Sequence, residues 1–188
     1  TTAFQFETAA LEKEDLTGGV ADIYKCFDQV LRKLLEVLLQ IGGMPKRVYG
    51  AYLRYMDTLQ IYNSVAGTIG EAYHISAGIP QGCPFSMMFI AFMLYPWIQT
   101  MRTLGATARI LADDILVYAK GIDHEETFRR SYEATHEFVH DMGAKLAPTK
   151  SSVFSTCRVT RQKLRKHVWT FIGQTIDVIL HARDLGSH

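Results

Sequence analysis

Three aspartates lie where apolar segments end, and their pattern suits a metal site. Asp22 closes an apolar segment just before a predicted helix, and Asp113 and Asp114 separate the apolar runs 108–111 and 115–119. Burying like charges side by side is strongly unfavourable unless solvent, a basic group or a divalent cation compensates. If the fold brings Asp22 beside Asp113, the carboxylates suit two Mg²⁺ ions about 3.5–4 Å apart, the arrangement used for phosphoryl transfer.

Each acidic motif taken alone has a simpler explanation. Asp113 and Asp114 can form a solvent-exposed turn, and Asp22 can serve as a favourable charge at the start of a helix. The combination of the two motifs on apolar segments favours the metal site over these alternatives, because rigid strand ends are where such ligands are usually mounted.

A loop rich in glycine and proline forms the third feature. Residues 76–89 read SAGIPQGCPFSMMF, in which Gly78, Pro80 and Gly82 give a stiff, turning backbone that a ligand can approach closely. The loop leads into a helix whose N-terminal N–H groups favour an anion, and Gln81 can both donate and accept hydrogen bonds.

Apolar periodicity predicts strands and helices in alternation. Strands are expected at 20–24, 108–111, 115–119, 151–155 and 168–172, with a hairpin formed by 59–66 and 71–76. Helices are expected at 28–40, after Pro45, at 85–104 and over 128–142. This mixture predicts the α+β class, with an antiparallel sheet and helices packed on one of its faces.

Composition excludes several classes of protein. The 188 residues carry 20 Lys and Arg against 19 Asp and Glu, a net charge of +1, which excludes a disordered, collagenous or highly charged chain. The longest apolar run, 85–98, is shorter than the roughly 20 residues of a membrane helix. Three cysteines are too few for a disulfide framework, and no secretory leader is visible, so we expect free thiols in an intracellular, reducing compartment.

Basic residues are concentrated towards the C-terminus. No Asp or Glu occurs between Met142 and Ile176, and this window contains Lys145, Lys150, Arg158, Arg161, Lys163, Arg165 and Lys166. Such a block is typical of a surface that binds a phosphate backbone, a solvated basic face being the alternative.

These motifs, in this order, resemble the palm domain of reverse transcriptases, and most closely the branch of non-LTR retrotransposons and group II introns. The similar segments are ADIYKCFD at 21–28, AGIPQGCPFS at 77–86, LADD at 111–114, MGAKLAPTKSSVF at 142–154 and WTFIG at 169–173. Any one of them is weakly specific, but five in the order of the family are a strong match.

The resemblance implies roles for residues of the nucleotide site. The catalytic, metal-binding acids are Asp22, Asp113 and Asp114, with the carbonyl of Ile23 as a further ligand of two Mg²⁺ ions, for which Mn²⁺ can substitute. Phe27 resembles the steric gate that excludes a ribose 2′-hydroxyl, or it is an ordinary core aromatic. The incoming nucleotide is expected to lie on Gly78, Pro80, Gln81 and Gly82. Lys150 resembles a lysine that protonates pyrophosphate, or it is a solvated loop residue.

Primer and template are expected to contact the basic window and the segment that follows it. The implied residues are Arg158, Arg161, Lys163, Arg165, Lys166, Phe171 and Gly173. The last two correspond to the primer grip.

The implied function is that of an RNA-directed DNA polymerase, with an RNA template, a DNA primer and dNTPs as partners and no membrane. The alternatives are an RNA-dependent RNA polymerase and a polymerase-derived scaffold that binds RNA without copying it. Phe27 and Ala112 favour the DNA-making branch. Since only 21 residues precede Asp22 and 15 follow Gly173, we expect residues 1–188 to be a single palm domain, with fingers and thumb largely absent or supplied by another chain.

Overall fold

The computed structural model of the chain describes residues 11, 14–111 and 114–180. In chain order the elements are β1 (Leu16–Asp22), α1 (Arg32–Ile41), α2 (Lys46–Thr58), β2 (Ser64–Val65), β3 (Thr68–Ile69), α3 (Pro84–Thr103), β4 (Thr107–Leu111), β5 (Asp114–Lys120), α4 (His124–Asp141), β6 (Ser152–Ser155), α5 (Arg158–Leu164) and β7 (Asp177–Val178). Short 3-10 turns cover Cys26–Gln29 and Pro148–Lys150.

The chain divides into two compact units. The helical unit is Lys25–Met93 and contains α1, α2 and the β2–β3 hairpin. The sheet unit consists of the described residues up to Tyr24 and from Leu94 onward. The described part of the chain has no helix long and apolar enough to span a membrane.

A five-stranded sheet forms the sheet unit, in the order β4-β5-β1-β6-β7. The strand β1 is antiparallel to both β5 and β6, and β4 is antiparallel to β5, as expected. The pair β6–β7 is parallel, so the sheet is mixed. The helix α5 lies in the connection from β6 to β7, and a crossover of this kind is what parallel neighbours require.

One face of the sheet is packed against α4, and a glycine makes the close approach possible. A Cβ atom at Gly19 would lie 2.9 Å from the ring of Phe128 and 3.0 Å from that of Tyr132. The Tyr132 hydroxyl donates to the carbonyl of Val20 at 2.9 Å, which fixes the helix against β1. Both rings are fully buried, so this contact is the core of the sheet unit.

The other face of the same strands carries a second apolar cluster, made by Leu16, Leu116, Tyr118 and Phe154. Side chains alternate between the two faces of a strand, so the even-numbered residues of β1 lie on this face. Asp22, the last residue of β1, belongs to that series and therefore lies on the face opposite α4.

The helical unit is organised around the apolar stripe of α2. Its residues Tyr49, Tyr52 and Met56 are buried, which confirms the helix expected after Pro45. The ring of Tyr52 packs edge to face on Phe89, at 4.6 Å between centroids.

The expected hairpin is formed by β2 and β3 rather than by 59–66 and 71–76, and α5 and β7 were not expected. Two other expected elements differ in kind from those observed. The helix predicted over 28–40 is a 3-10 turn followed, after extended residues at 30–31, by α1. The break occurs because the Val30 carbonyl accepts a bond from the N–H of Gly78 and cannot take part in a continuous helix. The strand predicted at 168–172 is a turn, closed by the Trp169–Gln174 bridge, in which Gly173 has a positive φ.

Candidate active site

Two of the predicted acids face each other across adjacent strands. Asp22 and Asp114 are Cα partners at the end of the antiparallel β1–β5 ladder. Directly opposite residues have Cβ atoms about 4.5–5.5 Å apart, and like charges in such a pair are destabilising. Asp22 has a side chain only 15% exposed, so water screens it poorly. A cation at this end of the sheet relieves the repulsion.

Lys150 supplies one such positive charge. Its ammonium lies 3.7 Å from the Asp22 carboxylate, at the end of the 3-10 turn that precedes β6. The side chain is 69% exposed, so the ion pair alone contributes little stability. The structure thus brings together Asp22 and Lys150, which the sequence places 128 residues apart.

The backbone next to Asp22 presents a further oxygen. Ile23 forms an antiparallel bridge with Leu146, in which the carbonyls of Asp22 and Lys145 accept the bonds. Successive carbonyls of an extended chain point in opposite directions, so the Ile23 carbonyl is directed to the β5 side, where Asp114 lies. Carboxylates with a backbone carbonyl form the all-oxygen donor set that Mg²⁺ prefers.

Asp113, the other predicted metal ligand, lies outside the residues that the structure describes. The sequence predicted that Asp113 would lie beside Asp22, and among the described residues the partner of Asp22 in the ladder is Asp114.

The helical unit joins the steric-gate residue to the Gly/Pro loop. The N–H of Ile79 donates to the carbonyl of Phe27 at 2.8 Å. Gly78 has φ +86°, and a Cβ there would lie 3.0 Å from Asp28 Cα and 3.1 Å from the Phe27 carbonyl oxygen. The positive φ and this close contact together favour glycine at position 78, in the segment AGIPQGCPFS.

An arginine that the sequence analysis did not single out holds the same loop. Arg32 donates from Nε to the Gly78 carbonyl at 2.9 Å and lies 3.7 Å from Asp57, with its side chain 10% exposed. Arg32 precedes Leu35 by three residues and Leu39 by seven, so it lies on the same face of α1 as these two buried leucines. A cation on the apolar face of a predicted helix is the signal that points to such a partner.

The rest of the loop is turned outward. Gln81 and Gly82 are exposed, and Gly82 has φ +82° with open space where a Cβ would be. Ser86 fixes the loop from below, because its hydroxyl donates to the carbonyl of half-buried Pro80 at 2.7 Å.

The five basic residues of the C-terminal window from Arg158 onward fall into two groups. Arg161 donates to the carbonyls of Ser155 and Thr156, and Lys163 donates to both carboxylate oxygens of Glu125 at 2.9 Å. Burial by itself raises the pKa of Glu125, but the bonds from Lys163 and a neighbouring threonine outweigh it and hold that pKa below its usual value. The second group is exposed and consists of Arg158, Arg165 and Lys166.

The two primer-grip residues lie in the turn that replaces the predicted strand. Phe171 is 44% exposed and its ring is 5.7 Å from that of His140. Gly173 closes the turn, because its N–H donates to the Trp169 carbonyl at 2.8 Å. With Lys145 and Ile172, Phe171 lines a surface cavity in the sheet unit.

Comparison with known families identifies the pattern. A family model described as reverse transcriptase (RNA-dependent DNA polymerase) matches residues 2–176. No curated protein matches the chain.

Two solved structures are similar to this fold. One is telomerase from Candida tropicalis in complex with the TWJ fragment of telomeric RNA, with a TM-score of 0.62 and 10% identity, covering 84% of this chain and 29% of that one. The other is apo telomerase from Candida tropicalis truncated from the C-terminal domain, with a TM-score of 0.61 and 13% identity, covering 81% and 34%. The chain thus spans about a third of either telomerase, and the likeness confirms the predicted α+β polymerase palm fold.

Proposed function

Because the chain belongs to the reverse transcriptase (RNA-dependent DNA polymerase) family, we propose that it catalyses templated transfer of a nucleotidyl group from a dNTP to a primer 3′-hydroxyl. The template is RNA and the product is DNA. The observation that carries the proposal is the register that sets Asp22 opposite Asp114 on the sheet face away from α4.

Residues where the end of β1 meets the start of β5 would hold the metal ions. Asp22, Asp113 and Asp114, with the Ile23 carbonyl, offer the oxygen ligands for two Mg²⁺ ions, or for Mn²⁺ in their place. When bound, such ions activate the primer hydroxyl and stabilise the charge that develops on the phosphate and pyrophosphate. The Lys150 ammonium, 3.7 Å from the Asp22 carboxylate, holds a proton for the leaving pyrophosphate.

Residues of the helical unit would select the nucleotide. Phe27 gates the sugar against a 2′-hydroxyl, and Gly78, Pro80, Gln81 and Gly82 form the floor for the base pair. The bonds from Ile79 to Phe27 and from Arg32 to Gly78 support this role, because they fix the gate and the loop to each other.

Exposed cations would bind the nucleic acid backbone. Arg158, Arg165 and Lys166 are available for phosphates, whereas Arg161 and Lys163 make bonds inside the sheet unit. We place the chain in the non-LTR retrotransposon and group II intron branch, as the palm of a polymerase whose fingers and thumb lie elsewhere. Cys26, Cys83 and Cys157 are not joined in disulfides, which supports a reducing, intracellular compartment.

Primer extension on an RNA template with dNTPs and Mg²⁺ or Mn²⁺ tests the proposal, with Asp114→Asn as the paired variant. Extension that the variant loses supports RNA-directed DNA synthesis. Extension with NTPs but not dNTPs indicates an RNA polymerase. RNA binding without extension, in the presence of Mn²⁺ and added fingers and thumb, indicates a scaffold and overturns the catalytic proposal.

A further inference from the structure

A second group of metal-ligating side chains lies at the opposite end of β1. A ring nitrogen of His124, the Sγ of Cys157 and a carboxylate oxygen of Asp15 lie within 4.8 Å of one another. Asp15 precedes β1 and Asp22 ends it, a span of roughly 20 Å along the strand, so this group is separate from the proposed active site. We propose that Asp15, His124 and Cys157 bind a zinc-type transition-metal ion.

The hydrogen bonds around His124 determine which ring nitrogen faces this group. The Ser155 hydroxyl donates its one proton to the Leu16 carbonyl, so in its 2.8 Å contact with Thr17 it is the acceptor. The Thr17 hydroxyl therefore donates to Ser155 and must accept from His124 Nδ1–H, at 2.6 Å. In the neutral ring Nε2 consequently carries a lone pair.

That lone pair is directed at other electron-rich atoms. Nε2 of His124 lies 4.0 Å from a carboxylate oxygen of Asp15, beyond hydrogen-bonding distance, and its side chain is only 8% exposed. A lone pair that faces a carboxylate and a sulfur is repelled by both, and a cation between the three atoms removes this repulsion. The locked Nδ1–H is also the arrangement found in metal-bound histidines, whose other ring nitrogen donates to an outer partner.

The other two ligands have partners of the same kind. The Thr156 hydroxyl donates to the free oxygen of the Asp15 carboxylate at 3.2 Å. The backbone N–H of Thr160 hydrogen-bonds to the Cys157 sulfur, an arrangement that favours the thiolate that metals require.

The donor set selects the class of metal. A thiolate and an imidazole suit Zn²⁺ and not Mg²⁺, and the carboxylate completes a set of three that leaves a fourth position for water. Tetrahedral bonds of about 2.0–2.3 Å place ligand atoms roughly 3.3–3.6 Å apart, so the three atoms need to approach one another by about 1 Å. Two anionic ligands and a neutral ring also balance the charge of a divalent ion.

Cobalt substitution tests the site in the full chain. Purified protein freed of metal by a chelator is titrated with Co²⁺, and the thiolate-to-metal charge-transfer absorption is recorded, followed by displacement with Zn²⁺. We expect one Co²⁺ per chain with this band, and loss of the band in Cys157→Ser. Cys83→Ser is the matched control, since Cys83 is also a half-buried free cysteine, and it should keep the band.

Two further variants separate this site from the proposed active site. Asp15→Asn should weaken Zn²⁺ binding by about 10-fold or more, and Asp22→Asn should leave both the band and the Zn²⁺ affinity unchanged. A band that survives in Cys157→Ser, or a protein that binds neither Co²⁺ nor Zn²⁺ while its circular dichroism shows it folded, overturns the proposal.

Discussion

The two ends of β1 present different chemistry on one strand. At the Asp22 end the donors are oxygens, supplied by a strand register and by backbone, and the partner is an exposed lysine. At the Asp15 end they are a carboxylate, a buried imidazole and a thiol, drawn from three segments and oriented by hydroxyl groups.

The two proposals together assign two kinds of cation to one strand. Oxygen donors beside an open face suit a hard ion that exchanges with substrate, whereas sulfur and nitrogen donors suit a softer ion that stays in place. Under these proposals the Asp22 end serves turnover, and the Asp15 end holds β1, α4 and the start of α5 together.

The largest expected effect comes from making the same substitution, aspartate to asparagine, at each end of β1 and measuring primer extension. Asp22→Asn should lower primer extension by about 10³-fold or more, equal to roughly 4 kcal/mol, because a carboxylate ligand of the reacting metals is lost. Asp15→Asn, the same change at the other end, should keep extension within a few-fold. Steady-state extension rates at saturating Mg²⁺ measure both.

If both variants lose primer extension equally, the two ends of β1 do not differ in function. Both aspartates then have a purely structural role, which an equal loss of thermal stability in the two variants would show.

How much of this contrast the sequence could predict depends on whether each residue lies in a recognisable local motif. Asp22 and Asp114 are separated by a long stretch of chain, yet each lies in a local motif that signals a strand end, so their closeness in the fold could be expected. His124 and Thr17 are 107 residues apart and carry no such motif, and only the order of the strands brings them together.

The same reasoning explains which elements were missed. The break at Val30 depends on an N–H supplied by Gly78, and the turn at 169–174 depends on the positive φ of Gly173. Neither is visible in the apolar periodicity from which the helix and the strand were predicted, because periodicity reports burial and not backbone partners. The helices α2 and α4 were predictable because their buried residues recur every three or four positions.

Two histidines on α4 differ in their hydrogen-bond partners, and the difference predicts a pH effect for His136. His124 has a hydroxyl partner at the metal-type end, whereas neither ring nitrogen of His136 has a hydrogen-bond partner among the described residues. Burial lowers the pKa of His136 to about 4; Glu133 partly opposes this and His167 adds to it. The folded state therefore binds fewer protons than the unfolded state between about pH 6.5 and 4.

Stability should consequently fall as the pH decreases through that range, by about 3 kcal/mol from this group alone. His136→Phe, which keeps an aromatic ring beside Tyr132 and Trp169, should flatten the acid limb of a urea-unfolding series between pH 4.5 and 7.5. His140→Gln, an exposed position on the same helix, should leave the limb unchanged. Parallel limbs for wild type and His136→Phe would contradict the assignment.

Two glycines of the predicted nucleotide loop form a matched pair, for which we expect a smaller loss of stability. Gly78→Ala combines a positive φ with a Cβ 3.0 Å from the Asp28 backbone, so we expect a loss of about 2–3 kcal/mol. Gly82→Ala has nearly the same φ but open space, and should cost only about 1 kcal/mol. Urea unfolding measures both, and equal losses would show that the contact with Asp28 carries no energy.

The smallest effect is expected at the surface of the sheet unit and separates phosphate contacts from internal ones. Exchanging Arg165 and Lys166 together for Gln should lower the slope of log affinity against log salt by about 2, since each exposed cation accounts for about one phosphate. Arg161→Gln should instead reduce stability by about 1 kcal/mol, because its bonds to the Ser155 and Thr156 carbonyls are lost, and leave the slope unchanged. Fluorescence titration with an RNA·DNA duplex at several salt concentrations measures the slopes. If Arg161→Gln lowers the slope as much as the double exchange does, the basic window acts as one undivided surface, and its internal bonds give way when nucleic acid binds.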